Sequence, residues 1–236
     1  VQPIIGTLLG VARPGHDGSE GKQVDYLPLF AQDEAGYDNL CHLVSSAHLD
    51  RPLALEPHIA LGDLDGRTDG LIAFTGAGEG GVTRLLAEGQ RDHAQAMLAR
   101  LEGLFPGRLY IELARRGDAT EEAAEGALID LAYERELPLV ASNPAQFGEP
   151  HQHKAHDAML CIAGSTHVDA EERVRSNPEN WVKSARMMEE IFADLPEAVQ
   201  DTLVVAQRCA FAPPWRKPIL PSLAGDLEGE ARMLAK

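Results

Sequence analysis

The chain has 236 residues, 44% of them hydrophobic, enough to bury a full core in one larger domain or one domain plus an appendage. Its 37 acidic against 21 basic residues give a net charge of -16, which repels phosphate backbones and argues against direct, non-specific nucleic-acid binding. No window approaches the ~18 apolar residues of a membrane span and no charged-then-apolar signal segment is present, so a soluble, cytoplasmic protein without a membrane partner is expected.

Val1 is followed at once by the strand-like Pro3-Ile-Ile-Gly6, so the chain is expected to start partway into a fold. Residues 24–30 read as a short apolar strand, and from Tyr37 to His48 the residues Leu40, Leu43, Val44 and Ala47 share one helical face behind Gly36. Residues 51–69, rich in Pro, Gly and Asp, read as a loop. Residues 71–74 form the next strand, and a glycine-rich turn leads into a single helical stretch over 82–104. A strand over 108–113 precedes a helix opened by Thr120 as cap, with Glu121 and Glu122 as its acidic first turn. A further strand follows Pro138, then helices near 156–162, 184–193 and 196–209. Strands alternating with helices of this length predict parallel βα units, as in a doubly wound sheet or a barrel. Beyond Phe211 the prolines at 213, 214, 218 and 221 predict a semi-rigid connector, and 225–236 begins a polar helical pattern. Cys41, Cys161 and Cys209 are unevenly spaced in helical, apolar stretches, which predicts free, buried thiols in a reducing compartment.

Several patterns could carry chemistry. Gly76-Ala-Gly78-Glu-Gly80-Gly81 holds the spacing G-x-G-x-x-G between a strand and a helix, as a dinucleotide loop would. Glu79 would set a carboxylate beside the pyrophosphate, so a plain helix-entry turn is the simpler reading. His151, His153 and His156 could suggest zinc, but only Asp157 lies nearby as a further donor, and structural histidines are expected. Glu112 ends a strand and could ligate a metal, whereas Arg115 and Arg116 directly after it favour an ion pair. Asp63 and Asp65 resemble a calcium loop without its downstream Glu and read as a turn. No serine elbow, Walker loop or C-x-x-C is present.

The stretches Val1-Gln-Pro-Ile-Ile-Gly6, Ala35-Gly-Tyr-Asp-Asn-Leu40, Gly70-Leu-Ile-Ala73, Leu109-Tyr-Ile-Glu-Leu113, Leu137-Pro-Leu-Val-Ala-Ser-Asn143 and Ala155-His-Asp-Ala-Met-Leu-Cys-Ile162 carry a resemblance. With Phe192-Ala-Asp-Leu-Pro-Glu-Ala198 and Ala206-Gln-Arg-Cys209, the whole chain resembles the amino-terminal PHP (polymerase and histidinol phosphatase) domains of bacterial C-family replicative polymerases, the DNA polymerase III alpha subunits. The resemblance implies an α/β fold, a distorted βα barrel incomplete at its amino terminus. It implies a PHP domain over 1–211 lacking its opening strand-helix units, a Pro-rich connector over 212–224, and over 225–236 the first helix leading toward the polymerase core.

Metal-bound relatives carry His, Asp and Glu at the strand ends around divalent cations that activate water for phosphoester hydrolysis. Where such ligands are expected this chain has Thr7 and Leu8, Tyr26, Arg116, Pro144 in place of Asp, and Gln146 in place of His. Leucine and proline offer no donor and arginine opposes a cation, so no catalytic residue and no metal are expected, with Glu112 the residual candidate ligand. The resemblance therefore implies DNA replication as the setting, DNA-directed synthesis with Mg in the core of the full-length parent, and no activity of this fragment's own. Its partners would be other replicase subunits, the proofreading exonuclease above all, and the rest of the polymerase chain. The alternative is a divalent-metal-dependent phosphoesterase or pyrophosphatase using Zn or Mn. An open edge or apolar groove is expected where the opening strand would lie.

Overall fold

A computed structural model describes residues 2–14, 20–52, 54–217 and 224–234. The expectation for Leu220-Pro221 in the connector falls outside the described residues.

The strands are β1 (Gly6–Pro14), β2 (Glu20–Ala31), β3 (Leu71–Phe74), β4 (Leu109–Leu113) and β5 (Leu139–Ala141). They form one sheet in the order β1-β2-β3-β4-β5. The pairs β1–β2 and β2–β3 are antiparallel, while β3–β4 and β4–β5 are parallel. The sheet is therefore mixed, which corrects the expectation of parallel units throughout. The composition behind the correction lies at the start. Leu9 and Val11 are buried on β1 while Leu8 just before them is 53% exposed, an alternation too short and too interrupted by Gly6 and Gly10 to stand out. Opposite them, Leu27 and Leu29 are buried on β2, and the register pairs Leu9 with Leu27.

The sheet does not close into a barrel, and β1 and β5 are its edges. Part of the outer edge of β1 is capped by the loop: Ala12 donates to the carbonyl of Ile59 and Ile59 donates to that of Gly10. Residues 51–69, expected as loop, supply this bridge and a short 3-10 turn at Leu61–Leu64.

The helices are α1 (Glu34–Leu49), α2 (Gly81–Ala87), α3 (Arg91–Leu104), α4 (Ala119–Glu134), α5 (His153–Ala163), α6 (Ala185–Ile191), α7 (Pro196–Arg208) and α8 (Leu227–Leu234). The helix of α1 begins before Gly36, because the Asp33 side chain caps it by accepting from the Gly36 N–H. Gly36 is needed there: a Cβ would stand 2.0 Å from the carbonyl oxygen of Gly70. The single helix expected over 82–104 is two, broken at Gly89, whose φ of 76° lies in the left-handed region. Asp118, not Thr120, caps α4 through the N–H groups of Thr120 and Glu121. Its carboxylate, one residue outside the helix, reaches both amides.

All residues of β3, β4 and β5 are buried, as expected of strands covered on both faces. One cluster joins Leu71, Leu109, Ile111 and Leu139 to Leu40 and Leu43 of α1, Leu98 and Leu101 of α3, and Leu128 and Leu131 of α4. On the other side Ile72, Tyr110 and Val140 pack with Val205 and Cys209 at the end of α7. Cys161 and Cys209 are buried as expected, whereas Cys41 is exposed, on the side of α1 turned away from Leu40 and Leu43. After α7 the chain is irregular, Phe211 lies 6.2 Å from the Tyr37 ring, and Arg216 pairs with Glu34 at 3.0 Å and Asp38 at 2.9 Å. Among the described residues no helix is long and apolar enough to cross a membrane.

Candidate functional site

The carboxyl ends of β3, β4 and β5 open onto the loops after Phe74, Leu113 and Ala141, where βα folds assemble their chemistry. The loop after β3 turns at Gly76, whose φ of 94° and close approach to the Tyr26 carbonyl, 2.2 Å from a built Cβ, admit no side chain. Its amides do not face a phosphate. Gly76 N–H donates to Glu112 Oε2 at 3.2 Å and Gly78 N–H to Glu121 Oε1 at 3.3 Å, so carboxylates of this chain already fill the cradle. The helix-entry turn is the reading the geometry supports, with Gly80 as the cap of α2.

Glu112, on β4, is 6% exposed. Burial pushes its carboxyl above the usual range, against the Ser142 hydroxyl and the Gly76 N–H, which favour the anion. No hydrogen bond of normal geometry joins Ser142 to it, and the Ser142 and Thr83 hydroxyls are buried without partners. Thr83, Glu112, Glu121 and Glu125 line one small cavity of about 10 Å³, room for a single water-sized centre.

The ion pair expected between Glu112 and the following arginines does not form. Arg115 has φ 50°, and both guanidinium groups find other carboxylates. Arg115 pairs with Glu125 at 2.8 Å and Asp194 at 2.5 Å and lies 4.7 Å from the Phe192 ring centre, tying β4 to α4 and to the turn before α7. Arg116 is 6% exposed, and its Nε donates to Glu121 Oε1 at 2.7 Å while Nη2 meets Glu79 at 3.3 Å. Burial works against the Arg116 charge, but Glu79 and Glu121 outweigh it and hold the guanidinium more firmly protonated.

A second centre was not visible in the sequence. Asp25 of β2 is 3% exposed and accepts from Arg84 Nε and Nη2, each at 2.9 Å, and from Arg13 Nε at 2.6 Å. Asp25 and Arg84 are 59 residues apart, and no motif joins them. Gly81 leaves room for the carboxylate, since a Cβ there would lie 2.8 Å from Asp25 Oδ2.

The remaining positions do not converge. Leu8 is exposed on β1, and the Tyr26 hydroxyl donates to Glu56. Asn143 accepts from Lys183 N–H at 2.8 Å and donates to the Trp181 carbonyl at 3.1 Å, and Gln146 accepts from Asn180 at 3.1 Å. Pro144 lies between them without a side-chain donor. His153 and His156 bond the carbonyl and hydroxyl of Ser176, at 3.0 and 2.7 Å, beside the Phe147 ring, while His151 pairs outside with Glu149. They are structural, as expected. Asp63 accepts from the Ala60 N–H and Asp65 pairs with Arg100, a turn and a surface ion pair.

Among the described residues no three His, Cys, Asp or Glu side chains are set to hold a metal ion. The donors present do not fit the polymetal cluster of metal-bound relatives. Asp25 and Glu121 have both oxygens engaged by arginine or backbone N–H, and Glu112 is buried beside a single amide donor.

Comparison with known proteins bears on what this site belongs to. The PHP domain family matches residues 1–116. The chain is similar over 236 residues, at 42% identity, to DNA polymerase III subunit alpha of Caulobacter vibrioides, covering 99% of this chain and 21% of that protein. It is 32% identical over 232 residues to the subunit of the same name from Escherichia coli K12, covering 98% of this chain and 20% of that protein. The Rickettsia bellii subunit matches at 32% over 236 residues. The chain spans about a fifth of the length of these relatives.

Proposed function

Since this chain belongs to the PHP domain family, we propose that it serves as the PHP part of a DNA polymerase III alpha subunit, acting in bacterial DNA replication in the cytoplasm as a metal-free structural and protein-docking module. The segment over 1–211 is the module, 212–224 its connector and 225–236 the lead into the polymerase core, where Mg supports DNA-directed synthesis. Its partners are the rest of the polymerase chain and other replicase subunits, especially the proofreading exonuclease. It makes no direct DNA contact, in keeping with the charge of -16.

One observation carries the reading: the carboxylates of Asp25 and Glu121 are already bound by donors of the chain itself. Asp25 is held by Arg84 and Arg13, and Glu121 by Arg116, so neither is free to activate a water. What the site can do chemically is hold its own loops in place. A fixed set of loops on a sheet edge is a surface a partner subunit can read without ordering it first.

The test is elemental analysis of the intact protein together with co-elution of its exonuclease subunit. Sub-stoichiometric Zn, Mn and Fe with co-elution is the expected result. The competing phosphoesterase or pyrophosphatase reading draws on Glu112, a buried carboxyl at a strand end, and on some of the cluster His151, His153 and His156. Manganese-dependent hydrolysis of a phosphomonoester, abolished by Glu112→Ala, would establish that reading instead.

A further inference from the structure

Glu34 and Asp38 stand four residues apart on α1, both more than half exposed, so two like charges share one face of the helix. Such a pair weakens a helix unless a cation comes between its members. Arg216 supplies that cation: a single nitrogen, Nη2, meets Glu34 Oε1 at 3.0 Å and Asp38 Oδ1 at 2.9 Å. Its guanidinium also lies 5.9 Å from the centre of the Tyr37 ring, on the same turn of α1. The bonds to Glu34 and Asp38 hold the Arg216 charge more firmly than usual. Two carboxylates beside an aromatic ring suit a planar, delocalised cation, and a compact ammonium would use only part of them.

The rest of the connector fits the same arrangement. Trp215 stays 80% exposed, so the segment is not held by its largest apolar group. Phe211 lies 6.2 Å from the Tyr37 ring, and Pro213 and Pro214 stiffen the chain between that contact and Arg216. A stiffened segment loses little freedom on seating, so surface ion pairs that are weak singly act together. We propose that Glu34, Tyr37 and Asp38 form a guanidinium-binding face on α1, filled by Arg216 of the same chain, and that residues 211–217 are a strap held shut by that contact. Closed, the strap lays the chain after α7 along the first turns of α1. Screening or removing the charge opens it and bares an acidic face with an aromatic ring at its centre.

Trypsin reads the strap directly, because a cut after Arg216 requires the guanidinium to leave α1 and enter the protease, and the rate then follows the open fraction. Cleavage of the Arg216–Lys217 bond in the intact protein is followed by mass spectrometry against a reference peptide carrying the same Arg-Lys bond. Glu34→Gln/Asp38→Asn, at two exposed positions, is expected to speed this cut about 10-fold. Salt at ~1 M, where the screening length is about 3 Å, is expected to speed the cut in the unaltered protein several-fold and to leave the variant's rate unchanged. Arg216→Lys, judged against a Lys-Lys reference, keeps the charge and the cut site and is expected to be cleaved several-fold faster than the unaltered protein, since an ammonium reads the face less well. Equal cutting of the neutralised variant and the unaltered protein, salt acceleration of the same size in both, or an Arg216→Lys strap as slow to cut as the original would overturn the proposal.

Discussion

The sheet with α1 to α4 and the segment between β5 and α6 are held by different forces. In the first, Leu29, Leu43, Leu71, Leu98, Phe105 and Ile111 are fully buried in one cluster, and apolar area removed from water supplies the stability. In the second, the buried side chains are Cys161, Ser176 and Asn180, while Met159, Ile162, Val168, Val174 and Val182 stay more than half exposed. What holds residues 142–183 is a set of polar latches: Asn143 to Trp181 and Lys183, Arg173 to Asp157, and both His153 and His156 to Ser176. Apolar packing has no preferred direction and tolerates repacking, whereas latches of this kind fix loop geometry at little cost in buried area. The loop over 142–183 thus keeps a defined shape with little apolar burial of its own.

That contrast can be broken at several points. Phe105→Ala, deep in the apolar half, is expected to cost about 3–5 kcal/mol of unfolding free energy, read by urea denaturation. Glu121→Ala leaves Arg116 with only Glu79 and is expected to cost about 3 kcal/mol, a buried charge losing its partner. Asn143→Ala removes two hydrogen bonds and is expected to cost about 1–2 kcal/mol. Its effect is expected to be confined to residues 142–183 in hydrogen exchange. A global loss as large as that of Phe105→Ala would end the distinction between the two regions.

Acid should separate them further. Arg173, with the Ser176 N–H, holds the Asp157 carboxyl well below the usual range, and Arg115 holds Asp194 down to about 2. Folded pKa values below the unfolded ones mean stability that is present above about pH 4 and is lost as pH falls through the folded values. Limited proteolysis between pH 6 and pH 2 should therefore open the loop around Asp157 and Arg173 before the sheet. Glu112 runs the other way. Its raised pKa means that stability declines as pH rises from the unfolded carboxyl value toward the folded one, and Glu112→Gln should flatten that slope. The smallest effect is expected for Met159→Glu, 65% exposed on α5, within about 0.5 kcal/mol in the same denaturation experiment.

Much of the fold was legible because apolar runs bounded by Pro and Gly leave few choices. The strand at 71–74 is β3 as drawn from the sequence, the strand at 108–113 is β4 within a residue, and α1 and α7 follow their periodicity. β1 was missed because two glycines interrupt a nine-residue strand with only Leu9 and Val11 facing inward. The break at Gly89 was missed because both flanking helices keep one apolar phase toward the same core. At the site, Arg116, Pro144 and Gln146 were singled out in the sequence, but the partners of Arg116 were not. Glu79 had been weighed only as an obstacle to a dinucleotide and Glu121 only as a first-turn acid.

By itself the sequence determined most of the strands and helices and the family they compose. Those are properties of local pattern and residue chemistry, readable one window at a time. Tertiary structure decided which charge meets which. Asp25 finds Arg84 across 59 residues, and Arg116 pairs with Glu121 and Glu79 instead of Glu112. Such pairings depend on where the chain bends and on which groups burial leaves in need of a partner, and neither is set by neighbours in sequence.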